Sequence, residues 1–380
     1  MSILKNKKIA IVGGGPGGLT LARLLQTRGV DVKVYERDIN KDARAQGATL
    51  DLHEESGLKA LLEAGLMEAF KANYRPGAEK LRIMDKNGSI VAEDSPETDR
   101  VSSRPEIDRG PLQNILLDSL LPGTVVWDSH FTALLPQNGS WKLEFKNGTS
   151  AFADIVIGAD GGNSKVRPYI TPIAPFYSGI TALEGAVYDS ETTIPKVHQL
   201  LNGGKIFAMG DDKSLIVSSK GDSSLVFYTS LKTDENWVRE SGIDFKDKAQ
   251  VLAWFKATYA GWDGVYLELF ENAVVPFVPR PIYCMPLDQC WEALPNLTLL
   301  GDAAHLMPPF AGEGVNMAML DALELSQHLN SEEFPGLQLA IAAYEKQMRK
   351  RAGEAAKESL ESGAIFHSPD ALTFIVQFLG

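Results

Sequence analysis

A β-branched run, Ile9-Ala10-Ile11-Val12, runs directly into Gly13-Gly14-Gly15-Pro16-Gly17-Gly18, and that junction constrains the fold more than any other stretch. Apolar residues at helical spacing follow, at Leu19, Ala22, Leu24 and Leu25, until Gly29 stops the helix. Val30 to Tyr35 then alternates as a second strand ending on Glu36. In this βαβ start Gly13 makes the tight turn, Gly15 lets a pyrophosphate approach the backbone, and Gly18 permits close helix packing. Glu36, 21 residues beyond Gly15, is placed to hold two ribose hydroxyls. The pattern predicts a dinucleotide site and does not distinguish NAD from FAD. Arg37 either covers the adenine or a phosphate, or belongs to a solvated surface.

A second stretch has the grammar of a strand delivering a loop and a helix N-terminus to a bound group. Asn296 to Leu300 is a short apolar strand, Gly301-Asp302 ends it, and Pro308 and Pro309 forbid regular structure until Gly312 and Gly314. Helical spacing resumes from Ala318 to Leu329, so free N–H groups near Gly314, Val315 and Asn316 face what the loop encloses. A carboxylate beside a pyrophosphate is repelled, so Asp302 is expected to accept hydrogen bonds from sugar-chain hydroxyls. On Gly-Asp alone, an N-capping or turn aspartate explains it equally well. A third glycine-bounded segment, Gly158-Ala159-Asp160-Gly161, follows the buried strand Ala153 to Ile157.

The chain has 380 residues, 44% of them hydrophobic, which is enough for two domains. Its net charge of −12, with scattered basic residues, argues against nucleic acid as a partner. Cys284 and Cys290 are too few for a closed zinc site and are expected to be buried, inert thiols in a reducing cytoplasm. No apolar run approaches the roughly 18 residues of a membrane span, so no stable membrane insertion is expected. The fold class is α/β (α+β): a discontinuous Rossmann-like nucleotide domain over 1–168 and 287–335, an inserted antiparallel-sheet substrate domain over 169–286, and a bridging helix and tail over 336–380.

Between these segments, Leu81 to Met84 and Ile90 to Glu93 flank a hairpin turn. Val125 to Asp128, Ala133 to Leu135 and Trp141 to Phe145 read as a β-meander. Ile180 to Tyr188, His198 to Met209, Ser214 to Ser218 and Ser224 to Leu231 read as strands of one sheet, which can floor a substrate cavity. Leu337 to Phe366 reads as one long helix. His305 is either a proton donor or, the preferred reading, a hydrogen-bonded structural histidine.

Taken together, the motifs at Gly13, at Gly158 (with Ser164 and Val166-Arg167) and at Gly301 resemble the single-component, aromatic-hydroxylase class of FAD-dependent monooxygenases. The stretches Gly47 to His53 and Leu299 to Asn316 are most similar to the tetracycline-inactivating branch. This resemblance implies FAD as cofactor, NADPH as a transient cosubstrate and O₂ as oxidant, with one oxygen passed to an electron-rich phenol or enol carbon. It implies FAD contacts at Asp51, Arg109, Asp160, Asp302 and the run Pro309, Gly312, Gly314, Val315 and Asn316, and a nicotinamide contact at Arg44. Without it, Asp51 is a turn residue and Arg44 part of a solvated face. Pro308, Phe310, Gly312 and Phe207 are implied to line the substrate site. There Lys205 stands where that branch has an arginine, Val226 where it has a histidine and Glu184 where it has a glutamine, so altered specificity toward a tetracycline-like polycycle is expected. A flavin halogenase would carry a Trp-x-Trp-x-Ile-Pro stretch, which is absent. A reductase without oxygen transfer, or a binding protein that has lost FAD, are the alternatives of other classes. The chain is expected to act as a cytoplasmic monomer.

Overall fold

The computed structural model describes residues 3–43, 49–94 and 104–379. The β-branched run Ile9–Val12 forms the centre of a five-stranded parallel sheet, ordered Leu297–Leu299, Ile155–Gly158, Ile9–Val12, Val32–Tyr35, Val125–Val126. The central strand is buried along its whole length because both faces are covered, which is why it is continuously apolar and not alternating. Register is direct, with Ile9 beside both Val32 and Ile155. The three glycine-bounded turns therefore follow neighbouring strands at one edge of this sheet, which is where α/β folds bind nucleotides.

Val125–Val126 corrects the expected meander, because it pairs in parallel with Val34 and Tyr35. The meander itself is Phe131–Gln137, Ser140–Phe145 and Ser150–Ala153. A two-residue strand carries too little pattern to reveal its partner.

The second sheet has seven strands, ordered Val274–Cys284, Phe176–Val187, Leu225–Lys232, Lys213–Ser219, Lys205–Gly210, Leu81–Asp85, Ile90–Asp94. The early hairpin, Leu81–Asp85 with Ile90–Asp94, joins it through parallel pairing of Leu81 with Lys205. The expected strand from His198 is corrected: Pro195–Leu201 is a helix, and the strand begins at Lys205. Pro195 starts that helix and Asn202, at φ 47, ends it, two punctuation signals that outweigh the apolar run between them. Val274–Cys284 tolerates three prolines because it is an edge strand.

One face of this sheet is closed by helices. Leu183, Val187, Ile206, Leu215, Val217, Leu225 and Phe227 pack there against Phe255, Phe270 and Phe277, and Phe227 and Phe270 meet edge to face at 5.0 Å. Period-two alternation sends Glu184, Lys205, Phe207, Val226 and Tyr228 to the other face, toward the parallel sheet. The helix Leu337–Phe366 spans the molecule as its spacing predicts, with Ile341, Tyr344 and Met348 in the nucleotide-side core. The last helix, Ala371–Leu379, packs with Ala371 and Ile375 against Ile83 and Met209. Among the described residues no helix is long and apolar enough to cross a membrane. Cys284 is buried, but Cys290 is exposed, a correction to the expectation of two buried thiols.

Candidate active site

The glycine turn is built as its spacing requires. Gly13 has φ +112, and a Cβ there would lie 2.3 Å from the Ala159 carbonyl, so the first and second motifs touch through it. A Cβ on Gly18 would lie 2.2 Å from the Gly13 oxygen, whereas one on Gly15 would meet nothing within 4 Å. Gly15 therefore borders open space at the start of the helix Pro16–Gln26, which has no side-chain cap and whose first hydrogen bond is Leu19 N–H to Gly15 O. The amides of Gly17 and Gly18 are left pointing out, the arrangement an anionic pyrophosphate requires. Glu36 sits beside this turn, its carboxylate accepting from Gly14 N–H at 2.6 Å and Asp38 N–H at 3.0 Å. Arg37 is exposed. Arg44 lies outside the described residues.

The second and third motifs are tied by the arginine of the second motif's Val-Arg pair. Arg167 is buried, and its guanidinium donates to the carbonyls of Gly162, Asp302 and Ala303 at 2.7–2.9 Å. Asp160 spends its carboxylate within its own loop, on Ser164 Oγ at 2.5 Å and Lys165 N–H at 2.7 Å, so its side chain caps a turn. Asp302 differs: its carboxylate accepts no hydrogen bond among the described residues, and burial raises its pKa against the pull of His305, Arg109 and Arg167. A partly buried acceptor without a donor suits sugar-chain hydroxyls. Arg109, exposed at the first position of its helix, lies close enough to act on that charge.

Behind Asp302 the fold fixes His305 in a structural role. His305 Nε2 lies 2.5 Å from Asp321 Oδ2, which also accepts from Gly301 N–H at 2.8 Å, and Asp321 Oδ1 accepts from Arg351 at 2.7 Å. Burial opposes charge on His305, but the Asp321 carboxylate outweighs it and raises the pKa. Gly301, at φ 58 with Ala318 against its Cα, is a position only glycine fills.

At the helix Gly314–Asn330 the first hydrogen bond is Met317 N–H to Glu313 O, so the amides of Gly314, Val315 and Asn316 face outward uncapped. The Asn316 side chain, expected at the cofactor, is committed to the protein. It donates to Asp51 O at 2.9 Å and accepts from His53 N–H at 2.9 Å, stapling that segment to the helix. Asp51 thereby comes against Gly312, whose φ is +72. A cluster that residue spacing missed surrounds this point. His53 is buried, 3.1 Å from Asp51 and 3.3 Å from Glu313. Burial opposes its charge, but the hydrogen bond to Asp51 and the nearby Glu313 carboxylate push its pKa up to about 9. Glu106, across the strand pair from Asp51, forms an ion pair with Lys205.

On the substrate side the expected residues share the inward sheet face but are differently employed. Lys205 is held by Glu106, and Glu184 is bonded to Arg280 at 2.9 Å. Val226 is buried, and its flanking strands contribute Ala186 and Ser218 beside it. Phe207 and Phe310 both meet Phe366, at 6.2 and 6.0 Å edge to face. His367, fully buried, bonds Ser230 Oγ through Nε2 at 2.8 Å and the Gly363 carbonyl through Nδ1 at 2.7 Å. Beside Pro308 and Phe310 opens a cavity of about 220 Å³, reaching to Ile180, Lys232, Leu360 and Gly363.

Known sequences identify what this geometry serves. The profile of the FAD binding domain family matches residues 6–174 and 295–359, the segments that carry all three motifs. The chain belongs to this FAD-binding family. It is similar to the 3-amino-4-hydroxybenzoate 2-monooxygenase PtmB3 of Streptomyces platensis, 30% identical over 96% of this chain and 89% of that protein. It is also similar to the monooxygenase asqM of Emericella nidulans, 29% identical over 92% and 93% of the two chains. The fold is shared with the tetracycline destructase Tet(55), with a TM-score of 0.77 at 19% identity, covering 98% of this chain and 95% of that one. The chain is an FAD-dependent monooxygenase of the aromatic-hydroxylase type. The open face at Gly15, the Asp302 carboxylate that accepts no hydrogen bond among the described residues and the two uncapped helix starts fit FAD.

Proposed function

We propose that this FAD-dependent monooxygenase consumes NADPH and O₂ to hydroxylate an electron-rich phenolic or enolic ring, with tetracycline-type polycycles as the substrate class. The observation that carries the reading is the apolar cavity beside Pro308 and Phe310, on the loop that leads to Gly312 and the uncapped helix start. Bound FAD would supply the redox chemistry, with NADPH as hydride donor and O₂ as oxidant, one oxygen atom going to the ring and the other leaving as water. Gly13, Gly15, Gly18 and Glu36 would hold its adenosine and pyrophosphate half. Asp302 and Arg109 would hold its sugar chain, and Asp51 with the amides of Gly314 to Asn316 its ring. Those amides and the helix dipole favour negative charge at the ring. The Phe207–Phe366–Phe310 group excludes water from the substrate face.

The tetracycline reading is supported by the run Leu299 to Asn316 and by the Pro308–Phe310 wall. A specific observation favours a second reading, a one- or two-ring hydroxylated aromatic. The cavity of about 220 Å³ is below the roughly 300–1,000 Å³ typical of drug-sized ligands, so a polycycle requires its wall, Phe310 included, to move outward. The test follows NADPH oxidation by the FAD-loaded protein with tetracycline and with monocyclic phenols, with mass spectrometry of each. Substrate-stimulated oxidation with gain of one oxygen by tetracycline supports the first reading. Turnover of monocyclic phenols alone defeats it in favour of the second. Oxidation yielding peroxide and no oxygenated product from any phenol or enol overturns both.

A further inference from the structure

Lys232 is the cationic side chain lining the cavity beside Phe310, and its place in the fold gives it a use. It ends the strand Leu225–Lys232, directly opposite Ile180. No carboxylate lies within ion-pair distance of its ammonium among the described residues. The acid on the same sheet face, Glu184, is already paired with Arg280 at 2.9 Å. Ser178 also borders the cavity, but its Oγ is turned away from it, shielded from solvent and without a hydrogen-bond partner among the described residues.

Lys232 is held in place by the surrounding chain. The edge register slips between Tyr177 and Thr181, and Gly179 within that bulge has φ +87 with nothing crowding its Cα, which opens the cavity mouth. Tyr177 Oη bridges Thr181 Oγ1 at 2.9 Å and Thr233 Oγ1 at 2.7 Å, and Thr233 N–H donates to Gly179 O at 3.0 Å. The strand end that carries Lys232 is thereby clamped to the bulge that carries Ser178. The remaining lining, Ile180, Pro308, Phe310, Leu360, Gly363 and Ala364, is apolar.

An apolar slot with a lone ammonium at its rim recognises a flat ring whose far end bears an anionic oxygen. We propose that Lys232 binds the anionic oxygen of the substrate and so orients the ring against Phe310. Resting on the hydroxylase reading above, this narrows the substrate to acidic rings. The anion is either a ring carboxylate or the enolate of a polycycle.

The test compares FAD-loaded wild-type protein with Lys232→Met and Lys232→Arg, using a hydroxybenzoate, its carboxamide and tetracycline. Ligand binding is read by perturbation of the flavin spectrum, and KM and kcat by NADPH oxidation. Lys232→Met is expected to raise the ratio of hydroxybenzoate Kd to carboxamide Kd about tenfold, the effect of one lost charge pair at a rim, with Lys232→Arg restoring most of it. A tenfold rise confined to tetracycline instead assigns the site to an enolate. Equal weakening of the acid and its amide by Lys232→Met, with tetracycline binding unaltered, overturns the proposal, as does no change with any of the three. Because the spectral titration needs no turnover, a protein that binds acids through Lys232 but oxygenates nothing refutes the hydroxylase reading alone.

Discussion

His53 and Asp321 show how single buried charges are made tolerable around the motifs. His53 lies between Asp51 and Glu313, with its pKa pushed from 6.5 up to about 9. A histidine whose folded pKa is raised contributes stability that is fully present below its unfolded value and is lost as pH rises through the folded one. The protein is therefore expected to lose stability between about pH 6.5 and 9, and His53→Gln to flatten that part of a plot of thermal midpoint against pH. An unchanged slope would mean that His53 is neutral in the folded protein. Asp321 is the hub for His305, Gly301 N–H and Arg351. Asp321→Ala leaves the buried His305 imidazole without its partner, while Arg351 keeps Glu324 at 2.6 Å, and about 3–5 kcal/mol of unfolding free energy is expected to be lost in urea titration.

At the scale of elements, the glycine turn separates two functions that the sequence writes as one motif. Gly18 is a packing glycine, since a methyl group there meets the Gly13 carbonyl at 2.2 Å. Gly15 is a ligand-facing glycine, with open space above it and an ordinary extended backbone at φ −74 and ψ 176. Gly18→Ala is expected to lower apoprotein stability by about 1–3 kcal/mol, the range for overpacking. Gly15→Ala should leave apoprotein melting within error of wild type while weakening FAD binding roughly tenfold by flavin fluorescence titration, a loss of one close backbone approach. Equal destabilisation of the apoprotein by both changes would remove the distinction. Much of the second sheet was legible in period-two alternation. The helix Pro195–Leu201 was not, because a short apolar run between helix and strand signals satisfies both periods.

Over the whole molecule, the helix Leu337–Phe366 joins the nucleotide-binding core to the substrate face. Gly353 passes so close to the Leu287 carbonyl that a Cβ would sit 2.5 Å away, and Gly363 bears on the Phe310 ring at 2.6 Å in the same sense. Gly353→Ala must push the helix off backbone that cannot yield, and a loss of about 1–3 kcal/mol is expected by denaturant titration. A neutral substitution would show that the helix is free to shift. The turn at Gly13 to Gly18 and the loop and helix start from Gly301 to Gly314 were readable from the chain alone as backbone features, because close backbone approach and uncapped helix starts demand glycine and are local in sequence. The long helix was readable for the same kind of reason, its period being written in consecutive residues. The partners of Lys205, Glu184 and Asn316, the charge on His53, and the pairing of Leu81–Asp85 with Lys205–Gly210 were decided only by the tertiary structure. Each depends on residues about a hundred positions apart or more, or on burial by distant elements, and no local spacing encodes which distant group a buried charge will meet.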